Sequence, residues 1–243
     1  MTLAIRAVLF DVDDTLVDTR GAFRHALAAA GADYLDAPDP EELVRVWRAD
    51  AGGWYRAHTR GEMTHREQRH RRVNELHALF GGPRLDDEAY ATWSVRFDRH
   101  FRDGWAAHDD AAGALGALDL ADLPYGALSN ADVAVQEAKL DACGLDVRML
   151  VGVDTLGFGK PDPRVFHLAC ELLGFEPGEV AYVGDEFDAD AVGALDAGLA
   201  SVWLDRPGHH PRPVAPEDVA TATARGVVRI STLAELPERL GLG

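Results

Sequence analysis

Short apolar runs recur along the chain, separated by helical patterns. Ala7-Val8-Leu9-Phe10 ends in acids, and similar runs lie at Tyr125 to Leu128, Met149 to Val153, Val180 to Val183, Ser201 to Leu204 and Val227 to Ile230. Between them the spacing predicts helices over Ala111 to Leu120, Asp132 to Cys143, Pro161-Asp162-Pro163 to about Gly174, and Asp188 to Ala197. Prolines near the starts and glycines at the stops (Gly144, Gly174, Gly198) support these bounds. Thr232 with Glu235 three residues later opens a closing helix. Short buried strands alternating with helices of this length predict βαβ units, hence an α/β core with a parallel sheet and helices on both faces.

Residues 18–103 carry no such strands. Asp39-Pro40-Glu41-Glu42 supplies an N-cap, a first-turn proline and a capping-box glutamate ahead of Leu43, Val46 and Trp47. Thr64 and Glu67 form a second capping box, followed by Val73, Leu76 and Phe80 and a Gly81-Gly82-Pro83 stop. Tyr90, Trp93, Phe97 and Phe101 make an apolar stripe on one helix face, read as packing between helices. The expected organisation is a core of residues 1–17 and 104–243 interrupted by an all-helical insert, 18–103. The Pro-rich loop from Pro207 to Pro216 is expected to be the most mobile part of the core.

Composition narrows the function classes. With 24 Lys+Arg against 41 Asp+Glu, the formal charge of the 243 residues is −17. That balance argues against nucleic acid and against an anionic membrane surface as partners. No apolar stretch approaches the roughly 20 residues needed to span a bilayer, and the first ten residues do not read as a signal peptide. Cys143 and Cys170 lack zinc-type spacing and are expected to be thiols in a reducing cytoplasm. The sequence does not choose between monomer and homodimer.

Ligands of open parallel sheets bind beyond the carboxyl ends of the strands. After the first strand comes Asp11-Val12-Asp13-Asp14-Thr15; after the second, Ser129-Asn130; after the third, Gly157-Phe158-Gly159-Lys160-Pro161; after the fourth, Gly184-Asp185-Glu186-Phe187-Asp188-Ala189-Asp190. Two carboxylates ~4 Å apart repel by about 4 kcal/mol at an effective dielectric near 20. A cluster of Asp11, Asp13, Asp185 and Asp190 therefore needs a cation or raised pKa values. Oxygen-only donors suit Mg²⁺, which often bridges to a substrate phosphate. Lys160 and Ser129 add a positive charge and a hydroxyl donor for an anion. Asp14 and Asp18 are read as solvated acids. Pro161 stands where a phosphate loop needs Ser or Thr, so Gly157 to Lys160 is not an ATP-binding loop. His209-His210 is read as loop rather than as a second metal site.

Asp11-Val12-Asp13-Asp14-Thr15-Leu16, Ser129-Asn130, Lys160-Pro161-Asp162-Pro163, and Gly184-Asp185 with Asp190 resemble, in order, the four motifs of the haloacid dehalogenase superfamily. The insert resembles the helical C1-type cap of its capped subfamily I. The resemblance implies a Rossmann-like core and an aspartyl-phosphate mechanism. Asp11 would be the nucleophile, and Asp13 the acid and base for leaving group and water. Thr15 would position the motif-one loop. Ser129 and the Asn130 amide would bind phosphoryl oxygens, and Lys160 would neutralise developing charge. Asp11, the Asp13 carbonyl and Asp185 would hold Mg²⁺, with Asp190 orienting the ion's surroundings. The cap would close over the site and exclude water.

Between Leu43 and Arg72 eight arginines face three acids, a basic stretch in an acidic chain. Around Gly61, Arg60 is expected to contact the body of an anionic or hydroxylated substrate. The leading expectation is a Mg²⁺-dependent phosphatase of a small phosphorylated metabolite. The alternatives are a metal-independent 2-haloacid dehalogenase, which needs neither Asp13 nor the acidic fourth motif, a phosphosugar mutase, which shares these core motifs, and a non-catalytic phosphate-binding protein, which would be expected to lack Asp11 or Asp13.

Overall fold

A computed structural model describes residues 5–208 and 214–242. The chain divides into two compact units, one of residues up to Val17 together with Ala107 onward, the other Asp18–Ala106. The second unit extends past residue 103 because Gly104 caps its last helix and the Ala106 carbonyl accepts a hydrogen bond from Asp18 N, 2.9 Å.

In chain order the elements are β1 (Ala7–Phe10), then α1 (Thr19–Gly31), α2 (Pro40–Ala49), α3 (Trp54–Thr59), α4 (His65–Leu79) and α5 (Asp87–Asp103) of the insert. The core resumes with α6 (Ala111–Leu120), β2 (Tyr125–Leu128), α7 (Val133–Ala142), β3 (Leu150–Val151), α8 (Val153–Leu156), α9 (Pro163–Leu173) and β4 (Val180–Gly184). A π-helical turn, Phe187–Val192, leads into α10 (Gly193–Asp196), β5 (Ala200–Leu204), α11 (Pro216–Ala224), β6 (Val228–Ile230) and α12 (Leu236–Arg239).

The six strands form one parallel sheet in the order β3-β2-β1-β4-β5-β6. All four residues of β1 are buried. Val8 and Phe10 enter one apolar cluster with α6, α7 and α12, whereas Ala7 and Leu9 enter another with α9 and α10. Alternate residues of a strand face opposite sides of its sheet, so helices cover both faces. The chain runs outward from β1 to β2 and β3 and then returns to place β4 on β1's other side. The strand order therefore switches direction between β1 and β4, and the crevice at such a point is where open α/β sheets bind ligands.

Several local expectations shift. The third apolar run yields only Leu150–Val151, because Gly152 starts α8 and its N–H donates to Thr155 Oγ1. The segment expected as helix from Asp188 is wound as a π turn through Val192, with Asp190 N and Ala191 N both donating to Glu186 O. Thr232 starts a 3-10 turn ahead of α12, and Glu235 Oε1 accepts from both Ser231 N and Ser231 Oγ, 2.8 Å each. His209 and His210 lie outside the described residues.

The insert has its own core. Asp39 caps Glu41 N (3.0 Å), while Glu42 turns to Arg45 instead of completing a box. Thr64 and Glu67 do form the reciprocal box. Tyr90, Trp93, Phe97 and Phe101 are all buried, with the Trp93 and Phe97 rings stacked 4.9 Å apart. The basic stretch is largely neutralised inside the insert: Arg69 pairs with Asp98 (2.6 Å), Arg66 with Asp87 (3.3 Å), and Arg72 lies buried over Trp47, its guanidinium donating to the Trp47 carbonyl. Both acids sit on α5, outside the window in which the sequence appeared basic. Arg60 is exposed and forms a two-pronged pair with Glu62, 2.6 and 2.7 Å. No helix among the described residues is long and apolar enough to cross a membrane.

Candidate active site

The ladder sets the site. Phe10 pairs with Ala127 on one side and Val183 on the other, so Asp11 leaves β1 level with Leu128 and Gly184. Its N–H still donates to Val183 O, 2.8 Å. Ser129 follows β2 directly, and Asp185 follows β4. A Cβ at Gly184 would collide with the Asp190 carboxylate, so only glycine lets that side chain lie against the strand end.

Asp11, Asp185 and Asp190 converge: all three are buried, and each offers a carboxylate oxygen within 4.8 Å of the others. Lys160 Nζ reaches Asp11 Oδ1 and Asp190 Oδ1, both at 2.7 Å, from 4% residue exposure. Burial pushes the Asp11 carboxyl well above the usual carboxylate range; Lys160 opposes this, and the Asp190 and Asp13 charges add to it. Burial alone would lower the Lys160 ammonium, but the two carboxylates outweigh it and raise its pKa. Three buried carboxylates against one ammonium leave a formal double negative charge, and all the donors are hard oxygens. That donor set fits a divalent cation such as Mg²⁺.

Lys160 is itself held by Asn130. The Asn130 Oδ1 accepts from Lys160 N (2.6 Å) and its Nδ2 donates to Lys160 O (3.0 Å). A Cβ at Gly159 would strike Asn130 Oδ1. The Asn130 carboxamide thus serves the Lys160 loop rather than a ligand directly. Ser129 Oγ accepts from Ala131 N (3.2 Å) and Gln136 Nε2 (2.7 Å). With its acceptor sites engaged, the hydroxyl has its proton to donate. Asp13 is less buried than its neighbours. Its Oδ2 accepts from Gln136 Nε2 at 2.6 Å, and its Oδ1 forms an ion pair with Lys139.

Thr15 is fully buried; its Oγ1 has no hydrogen-bond partner among the described residues, and its carbonyl accepts from Arg206 at 3.0 Å. Asp14 and Asp18 depart from expectation. Asp14 is 4% exposed, with positive φ, and Asp18 caps α1 through Gly21 N at 2.8 Å.

Four residues were missed. Tyr182, in the middle of β4, donates to Asp190 Oδ1 (2.9 Å) and accepts from Lys160 (2.8 Å). A phenol inside an apolar strand was the available signal, because a buried hydroxyl needs a partner. Gln136 and Lys139 share the buried face of α7 with Leu140, and two polar residues on a core-facing helix stripe were the corresponding sign. Arg206, bonded to both oxygens of Asp110, gave no signal, since it lies in an irregular loop.

The switch point of a parallel α/β sheet thus carries three buried carboxylates bridged in part by the buried Lys160. Residues 5–198 match the haloacid dehalogenase-like hydrolase family, and the chain is an enzyme belonging to it. The N-acylneuraminate-9-phosphatase of Mus musculus is 28% identical over 252 residues, covering 97% of this chain and 94% of that protein. A phosphoglycolate phosphatase of Chromobacterium violaceum is 30% identical over 203 residues, covering 82% and 84%. A crystal structure of a dehalogenase with an intermediate complex superposes with a TM-score of 0.73 at 26% identity, covering 97% of each chain.

Proposed function

We propose that this hydrolase is a Mg²⁺-dependent phosphatase of a small phosphorylated metabolite, acting through an aspartyl phosphate on Asp11. The observation that carries the reading is the buried trio Asp11, Asp185 and Asp190 with Lys160 between Asp11 and Asp190. The phosphatase relatives, which span most of the chain, support it.

Asp11, Asp185 and the Asp13 carbonyl would hold the ion, and Asp190 fixes Lys160 beside it. Mg²⁺, when bound, offsets the acidic cluster and the phosphoryl charge and keeps the Asp11 carboxylate ionised. Asp11 Oδ attacks phosphorus; the bond to the leaving oxygen breaks, and that oxygen takes a proton from Asp13. Ser129 Oγ and the Asn130 backbone amide hold phosphoryl oxygens, and Lys160 balances charge as it builds. Water, giving its proton to Asp13, then attacks phosphorus and breaks the Asp11–phosphorus bond. Thr15 positions the motif-one loop, and Arg60 of the insert contacts the substrate body.

Asp13 separates this reading from dehalogenation, which has no leaving alcohol to protonate. The test is phosphate release over a panel of metabolite phosphomonoesters with Mg²⁺ or with EDTA, beside halide release from 2-haloacids. Mg²⁺-dependent phosphate release supports the proposal; EDTA-insensitive halide release alone overturns it.

A further inference from the structure

Two fully buried polar side chains on α7 have no place in the chemistry above. Gln136 and Lys139 are 0% and 1% exposed, and burying an ammonium and a carboxamide is costly unless both are bonded. The Gln136 Nε2 reaches two groups, Asp13 Oδ2 at 2.6 Å and Ser129 Oγ at 2.7 Å. Its Oε1 has no hydrogen-bond partner among the described residues. The orientation is nevertheless forced, because the reversed carboxamide would set its oxygen against the Asp13 carboxylate. Lys139 takes the other Asp13 oxygen.

We infer that Gln136 and Lys139 are positioning residues that aim the Asp13 carboxyl at the leaving-group oxygen, in fixed relation to the hydroxyl of Ser129. The inference rests on the phosphatase reading. Asp13 lies on the loop after β1 and is about one-third exposed, so its own burial does not fix its rotamer. One donor on each oxygen fixes both the tilt and the rotation of the carboxyl. Each oxygen has two lone-pair sites, so the proton that Asp13 passes to the leaving oxygen can be carried beside these bonds. By bridging Asp13 and Ser129, Gln136 also couples the group that protonates the leaving oxygen to the group that holds the phosphoryl.

A group that protonates the leaving oxygen matters most when that oxygen leaves badly. An alkyl phosphate needs the proton, whereas the nitrophenolate of p-nitrophenyl phosphate departs largely without it. The test compares kcat/KM for these two esters, with Mg²⁺, in wild type, Gln136→Met and Lys139→Met. Because both esters are assayed on the same preparation, their ratio does not depend on how much of a variant is folded. The expected result is that each variant loses at least about tenfold more on the alkyl ester than on the aryl ester, a part of the 10²–10⁴ that a well-placed acid contributes. Equal losses on both esters, or none, overturn the inference while leaving the phosphatase reading intact. A wild type that hydrolyses neither ester, nor any phosphomonoester in the panel, overturns the phosphatase reading and this inference with it.

Discussion

Lys160 Nζ lies 2.7 Å from Asp11 Oδ1, joining residues 149 positions apart in the chain. The same ammonium contacts Asp190 and Tyr182, so one buried charge ties the ends of β1 and β4 to the loop between α8 and α9. Replacing Lys160 with Met removes the partner of two buried carboxylates. We expect kcat to fall about 100- to 1000-fold, the usual cost of losing one electrostatic stabiliser. Stability without Mg²⁺ should fall by about 3–5 kcal/mol, as when a buried ion pair loses one member. Steady-state kinetics and thermal melting check both; a variant with wild-type kcat contradicts the role given to Lys160.

The acidic trio predicts a metal-linked melting temperature. A ligand bound only by the folded state at 100 times its Kd adds about 2.7 kcal/mol. Millimolar Mg²⁺ should therefore raise Tm and EDTA should reverse the rise. Asp185→Asn should abolish most of the shift, because Asp185 supplies one of the three convergent carboxylates. Equal shifts in wild type and variant would place the ion elsewhere.

Asp110 links core stability to acid pH. Burial alone would raise its carboxyl, but hydrogen bonds from Arg206, Thr232 and Leu233 N more than offset that and leave its pKa at about 2, against 3.8 for the free group. A depressed folded-state value stabilises the fold above the unfolded pKa, and that contribution is lost as pH falls from about 3.8 through about 2. Asp110→Asn should cost about 1.5–3 kcal/mol near neutrality, the range for hydrogen bonds to a charged group. It should also flatten the stability profile below pH 4. Denaturant titrations at several pH values decide it.

Arg60 is expected to affect binding rather than chemistry. Exposed and paired with Glu62 through its guanidinium, it can exchange that partner for an anionic or hydroxylated substrate at little cost. Arg60→Glu should raise KM for the preferred substrate and leave kcat near wild type. An unchanged KM for every accepted substrate removes Arg60 from the site.

Strand ends were readable because a buried parallel strand must be apolar and must stop where polar chemistry begins; β1, β2 and β4 were found within a residue. The same logic pointed to Asp11, Lys160, Asp185 and Asp190, which the structure brings together at the strand ends. Side chains that act through others were not readable. Tyr182, Gln136 and Lys139 each sit inside a predicted strand or helix, where the pattern marked the element but not the partner of the side chain, and only the packing reveals what they hold. The basic stretch misled for a related reason: Asp87 and Asp98, partners of Arg66 and Arg69, come from the next helix, and local charge counts cannot see across a helix pair. Asp14 and Asp18 were assigned to solvent because an aspartate after a strand carries no mark of burial or capping until the turn is known.

The proposed mechanism stands on transfer of the phosphoryl group to Asp11. Wild-type enzyme mixed with an accepted phosphomonoester and Mg²⁺, quenched in acid within one turnover and digested, should yield the Asp11 peptide with a phosphoryl mass increment. Asp11→Asn should give no such peptide and no phosphate release. Undiminished phosphate release by Asp11→Asn would contradict the account.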